Sequence, residues 1–217
     1  MLRRISMAAA VAGACGFAQG ELVRVTVQGP VGFNVIQGAM AGIQPGTPVT
    51  MSFNVDSNVF TNSASFPTRG YEIILSSFEM KVGSVSVPIV DPQPSPPAYF
   101  VLRNNDPAVD GFFISSANVD FPFPLAVTIP GLAPQHELDF QVGYSNGNQI
   151  NSLDILDAFG TYDLSAIGSF YWAIGRFGNA GAEYNYETIT IGPVPEPAAG
   201  MLLGLAAVTG LSRRRQR

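Results

Sequence analysis

Cysteine, histidine and charge are all scarce in this chain. There is one cysteine, Cys15, and one histidine, His136. Cys15 lies in an N-terminal apolar stretch, so a domain beginning after that stretch holds neither a disulfide nor a thiol nucleophile, and packing alone must stabilise it. A lone histidine cannot assemble a zinc site, which combines several His or Cys ligands; His136 reads as a residue at a strand edge. Charged residues make up 12% of the 217, about half the usual share. Six of the eleven basic residues (Arg3, Arg4, Arg213, Arg214, Arg215 and Arg217) sit at the two ends. Between Glu21 and Pro193 fifteen acidic residues face five basic ones, a balance of −10. Such a surface repels a phosphate backbone and argues against a nucleic-acid partner.

Long apolar runs are missing too, and the two short ones lie at the ends. Arg3-Arg4, the apolar run from Met7 to Phe17 and the small residues Ala18-Gln19-Gly20 have the three parts of a secretory signal. The run is about half the length needed to span a bilayer, which predicts cleavage by signal peptidase, after Gly20 in the first instance and after Ala18 in the second. A retained anchor, or lipidation at Ala12-Gly13-Ala14-Cys15, are the alternatives.

At the other end stand Val194-Pro195-Glu196-Pro197, an apolar stretch from Ala198 to Leu211, and the cluster Arg213, Arg214, Arg215 and Arg217. The prolines deny the backbone a helix and hold an extended, accessible segment. The apolar stretch can insert, while the arginines stay on the cytoplasmic side. As a helix its fourteen residues would span about 21 Å, short of the roughly 30 Å hydrocarbon layer, and Gly200, Gly204 and Gly210 weaken it further. It suits transient rather than lasting insertion; an ordinary tail anchor is the alternative.

These 24 residues resemble the PEP-CTERM sorting signal. The resemblance implies an exosortase-type enzyme as partner, acting at the motif, and an exported protein of a Gram-negative bacterium that inserts transiently in the inner membrane. Its destination would be the cell envelope, cell surface or extracellular matrix. A structural or adhesive role in an exopolysaccharide or biofilm setting follows from the same resemblance. Residues 1–20 are then a signal peptide, 21–193 the mature domain and 194–217 the sorting signal.

From Leu22 to Ile191 the chain is a succession of short Val-, Ile-, Thr-, Phe- and Tyr-rich runs punctuated by Gly, Pro, Asn and Asp, with no long amphipathic helix. Val23, Val25 and Val27 alternate with polar residues, as do Val49, Met51, Phe53 and Val55, the period of a strand with one buried face. Further strands are predicted over 71–80, 84–90, 98–102, 111–115, 125–129, 137–144, 170–177 and 184–191. The expectation is an all-β domain, an antiparallel β-sandwich or jelly roll of about ten strands, with the C-terminal hydrophobic helix beyond it. One short helix is predicted over 152–159, capped by Ser152, with Leu153, Leu156 and Phe159 on one face. It would plug one end of the sandwich. The proline-rich segment 91–97 reads as a stiff internal loop.

No catalytic residue is predicted. Gly143-Tyr144-Ser145-Asn146-Gly147 fits the nucleophile pattern of hydrolases, but His136 precedes Ser145 along one strand, about 30 Å away when extended. Calcium alone among cofactors could find ligands, because it needs only oxygens. Asn104, Asn105, Asp106 and Asp110 form one oxygen-rich loop and Asp154, Asp157 and Asp163 another, although neither has the spacing of a known calcium loop. No metal site is assigned. Aromatic residues crowd the late chain: Tyr162, Tyr171, Trp172, Tyr184 and Tyr186. Packed in strands they are core. Exposed in a row, Tyr171, Trp172, Tyr184 and Tyr186 would contact extracellular polysaccharide, making the chain a secreted carbohydrate-binding module or polysaccharide-active enzyme.

Overall fold

The computed structural model describes residues 20–105, 109–132, 135–144, 149–164, 172–176 and 179–195. Alternating valines begin the first long strand, β1 (Leu22–Asn34), in which Val23, Val25 and Val27 are wholly buried. Its neighbour β2 (Pro48–Asn62) repeats the pattern with Val49, Met51, Phe53 and Val55. The other strands are β3 (Thr68–Val82), β4 (Val85–Ser86), β5 (Ala98–Arg103), β6 (Asp110–Ser116), β7 (Leu125–Val127), β8 (His136–Tyr144), β9 (Gly160–Asp163), β10 (Trp172–Arg176), β11 (Asn179–Tyr184) and β12 (Thr188–Pro193). The domain is all-β and antiparallel.

The strands do not fall into two separate sheets. They pair in the order β1–β2–β3–β5–β6–β8–β10–β11, and β11 returns to β1, closing an eight-stranded antiparallel ring. Closure removes the open edges at which strands recruit other chains. β4 pairs with β3, β7 with β8, and β12 and β9 branch from β1.

The branch arises because one edge of β1 is shared. Its first half, Val23 to Gln28, pairs with β12, and its last residues, Val31 to Asn34, pair with β11. Asn185 to Glu187 bulge out between the two, opposite Gly29 and Pro30. There the Asn185 N–H donates to the Pro30 carbonyl and the Glu187 N–H to the Gln28 carbonyl. A Cβ on Gly29 would stand 1.7 Å from the Asn185 carbonyl oxygen, so only glycine admits the bulge. From it β11 bends toward β10 and β12 toward β9. On the side away from β11, where β8 and β9 share no backbone ladder, the Tyr144 hydroxyl bridges them by donating to the Asp163 carbonyl at 3.2 Å.

The predicted helix over 152–159 is a pair of consecutive turns. Ser152 Oγ accepts the N–H of Asp154, and Asp154 Oδ1 accepts the N–H of Leu156. These local bonds compete with a helical ladder and win over so short a stretch. The residues facing inward are therefore Ile155 and Ala158, both buried, whereas Leu156 and Phe159 are exposed. The segment still closes the barrel, and the Tyr71 hydroxyl fastens it by accepting the Ile155 N–H and donating to the Leu153 carbonyl. Among the described residues a single 3-10 turn forms instead at Gly38–Met40, which was not predicted.

The interior is one apolar cluster, and each fully buried Val, Leu, Ile or Phe side chain contributes about 1.5–3 kcal/mol. β6 is buried on both faces. Phe112 and Ile114 point inward, while the outer face, with Phe113, is covered. The β6–β7 connection folds back across that side of the barrel, its Val119 carbonyl taking the Thr68 hydroxyl at 2.7 Å. The predicted C-terminal hydrophobic helix and nearly all of the predicted signal peptide lie outside the described residues. Among the described residues no helix is long and apolar enough to cross a membrane.

Candidate functional site

β12 carries the sorting motif to the surface. Val23 pairs with Pro193, and beyond that last rung the Val194 N–H donates to the Leu22 carbonyl at 3.0 Å. Val194 is half-buried and Pro195 exposed. The backbone therefore leaves the barrel between the first and second residues of Val194-Pro195-Glu196-Pro197. Glu196, Pro197 and the arginines Arg213, Arg214, Arg215 and Arg217 lie outside the described residues.

The beginning of the domain is fastened beside this exit. The Glu21 N–H donates to Ser57 Oγ at 2.9 Å, and the Ser57 N–H donates to the Glu21 carbonyl at 3.0 Å. Glu21 is the residue after the predicted cleavage point. Leu22 at the start of β1 and Val194 just past β12 therefore lie side by side at one end of the barrel. Sequence alone carried no sign of this, because it depends on two strands far apart in the chain becoming neighbours.

Among the described residues the late aromatics form no solvent-facing row. Trp172 is 1% and Tyr184 4% exposed, and Tyr186 is half-buried. Trp172 stacks on Tyr186 at 5.8 Å and meets the edges of Tyr184 and Phe140. The Tyr186 hydroxyl donates to the Gln141 carbonyl of β8. Burial pushes the phenols of Tyr184 and Tyr186 far above the ordinary value. Tyr162 packs edge-on against Phe112 at 4.9 Å. Tyr171 lies outside the described residues.

In the first oxygen-rich loop, Asp110 is wholly buried and its carboxylate is committed. Oδ1 accepts the Asn105 N–H at 2.9 Å, and Oδ2 accepts those of Gln149 and Ile150 at 2.6 and 3.0 Å. This side chain ties the β5–β6 turn to the segment after β8, a role its place at a strand start did not signal. Asp106 lies outside the described residues. In the second group Asp154 serves its own turn, and Asp157 and Asp163 are exposed. Among the described residues no three His, Cys, Asp or Glu side chains gather as metal ligands.

His136 opens β8 and Gly143-Tyr144 ends it; Ser145 to Gly147 lie outside the described residues. His136 borders an open cleft of about 610 Å³ with Gln93, Ser116, Gln135 and Glu137. The Gln93 amide is fully used on Val90 and Ala126. Asp139 follows Glu137 on the same face of β8, and burial, followed by the charge of Glu137, raises its carboxyl above the usual carboxylate range.

A smaller hollow of about 340 Å³ lies on the outside of β1–β2–β3. Within it Arg24 bonds to Ser52 and Asn54 and lies 3.6 Å from Glu79.

Against known families, the chain matches the PEP-CTERM protein-sorting motif over residues 193–216. No curated protein and no solved structure matches it. The matched residues begin with the last residue of β12, so the motif starts where the barrel stops.

Proposed function

We propose that this chain is a non-catalytic surface or matrix protein whose closed barrel is the exported cargo of its sorting tail. The motif at residues 193–216 carries sorting by an exosortase-type system at the cell envelope. The structural or adhesive role is our reading of the domain. The carrying observation is the Leu22–Val194 junction: the barrel's last hydrogen bond is made by Val194, the first residue of the motif, and the next residue, Pro195, is exposed.

The junction also suits the precursor. With a signal segment at one end and the tail at the other, both apolar runs enter the same inner membrane. Termini held on adjacent strands let the barrel fold without straining either. Signal peptidase then releases one end and the exosortase-type enzyme acts on the other. Insertion of the tail is transient in this account, because its apolar stretch is short and glycine-loosened. The exopolysaccharide or biofilm setting and the Gram-negative host belong to the same reading.

Replacing Pro195, Glu196 and Pro197 together with alanine tests it. The variant folds, because Pro195, the one of the three among the described residues, is exposed and lies past the barrel's last hydrogen bond, but it accumulates in the membrane fraction instead of reaching the surface. Identical distribution and tail processing in variant and wild type would overturn the reading.

A second reading has one observation in its favour: the open cleft lined by Gln93, Ser116, His136 and Glu137 has room for a sugar, with or without calcium. Glycan-array binding by the secreted protein that is lost on Glu137→Gln would support it.

A further inference from the structure

Nine large apolar side chains are exposed among the described residues, and five of them gather at one end of the barrel. Leu22, Val59, Phe60, Leu156 and Phe159 are 37–47% exposed. The strand register places them together. Leu22 starts β1 opposite Asp56 of β2, so Val59 and Phe60 lie on the part of β2 that overhangs the start of β1. Phe60 pairs with Tyr71, whose hydroxyl holds Leu153 and Ile155, the residues just before Leu156. Phe159 precedes Gly160, which pairs with Ile191 near the end of β12. This is the end from which Val194 leaves. Of the other four, Phe33 and Val35 are at the opposite end and Phe121 and Phe123 on the β6–β7 connection.

Tether length decides what this rim meets. Pro195, Glu196 and Pro197 separate the barrel from the apolar stretch beginning at Ala198. Three residues span at most about 11 Å fully extended. With the stretch in a bilayer, the rim is held within that distance of the lipid surface, and side chains such as Phe and Leu favour the headgroup–acyl boundary.

We infer that, while the tail is inserted, the barrel sits upright on the membrane, its Leu22–Val59–Phe60–Leu156–Phe159 rim lying in the interface of a zwitterionic phospholipid surface. Charge selects the lipid. Glu21, Asp56, Asp154 and Asp157 surround the rim, and the nearest cation, Arg69, lies over the Phe60 ring at 4.2 Å. An anionic surface would repel this end. The posture places Pro195-Glu196-Pro197 at the lipid surface, where a membrane-embedded processing enzyme can reach it. The inference rests on the tail insertion proposed above.

The experiment uses residues 21–217 in phosphatidylcholine–phosphatidylethanolamine vesicles carrying a lipid-borne quencher. This mature chain has no native cysteine, so single cysteines can carry a fluorophore at Val59, Leu156, Val35 or Ala206. The expected result is quenching of the Val59 and Leu156 labels by about half or more, consistent with burial about 5–10 Å into the interface. Ala206 is quenched as well, and Val35, at the far end, is not. Replacing the zwitterionic lipids with phosphatidylglycerol weakens quenching at the rim alone. If Ala206 is quenched while Val59 and Leu156 match Val35, the docking is overturned and the tail insertion stands. If Ala206 is unquenched, the insertion fails and takes the docking with it.

Discussion

The Tyr71 hydroxyl accepts the backbone N–H of Ile155 at 3.0 Å and returns its own proton to the Leu153 carbonyl at 2.7 Å. One phenol thus satisfies two backbone groups of the segment that closes the barrel end, in a stretch without a helical ladder of its own. Tyr71→Phe keeps the ring and strands both groups. A buried polar group left unpaired costs about 1–3 kcal/mol, and urea denaturation should show a loss of that size. An unchanged midpoint would mean that water replaces the hydroxyl.

Asp110 is the corresponding anchor on the next strands. Asp110→Ala removes the acceptor of three N–H groups, two of them from Gln149 and Ile150. The expected loss is about 3 kcal/mol or more, while Asp154→Ala, whose carboxylate serves one exposed turn, costs under about 1 kcal/mol. Thermal melts of the two variants make the comparison. Because the Asp110 oxygens are already committed, adding calcium or a chelator should leave the wild-type melting temperature unchanged.

Trp172 is the only tryptophan. Buried between Tyr184, Tyr186 and Phe140, it should emit at short wavelength and resist quenching by acrylamide. Trp172→Ala should cost about 3–5 kcal/mol. A solvent-accessible tryptophan whose emission shifts on adding polysaccharide would instead favour the carbohydrate reading.

Alkaline pH should unfold the barrel through its tyrosines. The Tyr144 phenol is pushed up to about 12 by burial first, then by Tyr162 and Asp163, and Tyr71, Tyr162, Tyr184 and Tyr186 are also raised by burial. A phenol that ionises more readily unfolded than folded contributes fully below the ordinary value of 10.0. That contribution is lost as pH climbs toward about 12. Stability should therefore hold up to pH 10 and fall above it, with phenolate absorbance rising together with loss of β circular dichroism. Absorbance that rises well before unfolding would contradict the burial.

The strands with a strict two-residue rhythm were readable from the chain, because alternation follows directly from one buried face. Val23 to Val27 and Val49 to Val55 are the clear cases. Where a second surface is covered, the rhythm disappears, as in β6 with Phe112, Phe113 and Ile114 all buried. β9 and β11 went unpredicted because Gly160-Thr161-Tyr162-Asp163 and Asn179-Ala180-Gly181-Ala182 carry little apolar pattern, and the strand predicted over 184–191 runs through the bulge at Asn185–Glu187 that precedes β12. Ring closure is set by β1 exchanging partners at Gly29, a steric fact between residues distant in sequence. The helix at 152–159 failed because Ser152 and Asp154 spend their side chains on neighbouring N–H groups. The sorting motif was fully legible as a local pattern, whereas its position against Leu22 was not.

The most direct measurement is the C-terminal mass of the protein recovered outside the cell. Removal of the tail at the motif predicts a species ending near Pro195–Pro197, with the Ala198–Leu211 stretch and all four tail arginines absent. Extracellular protein still ending at Arg217 would contradict the account.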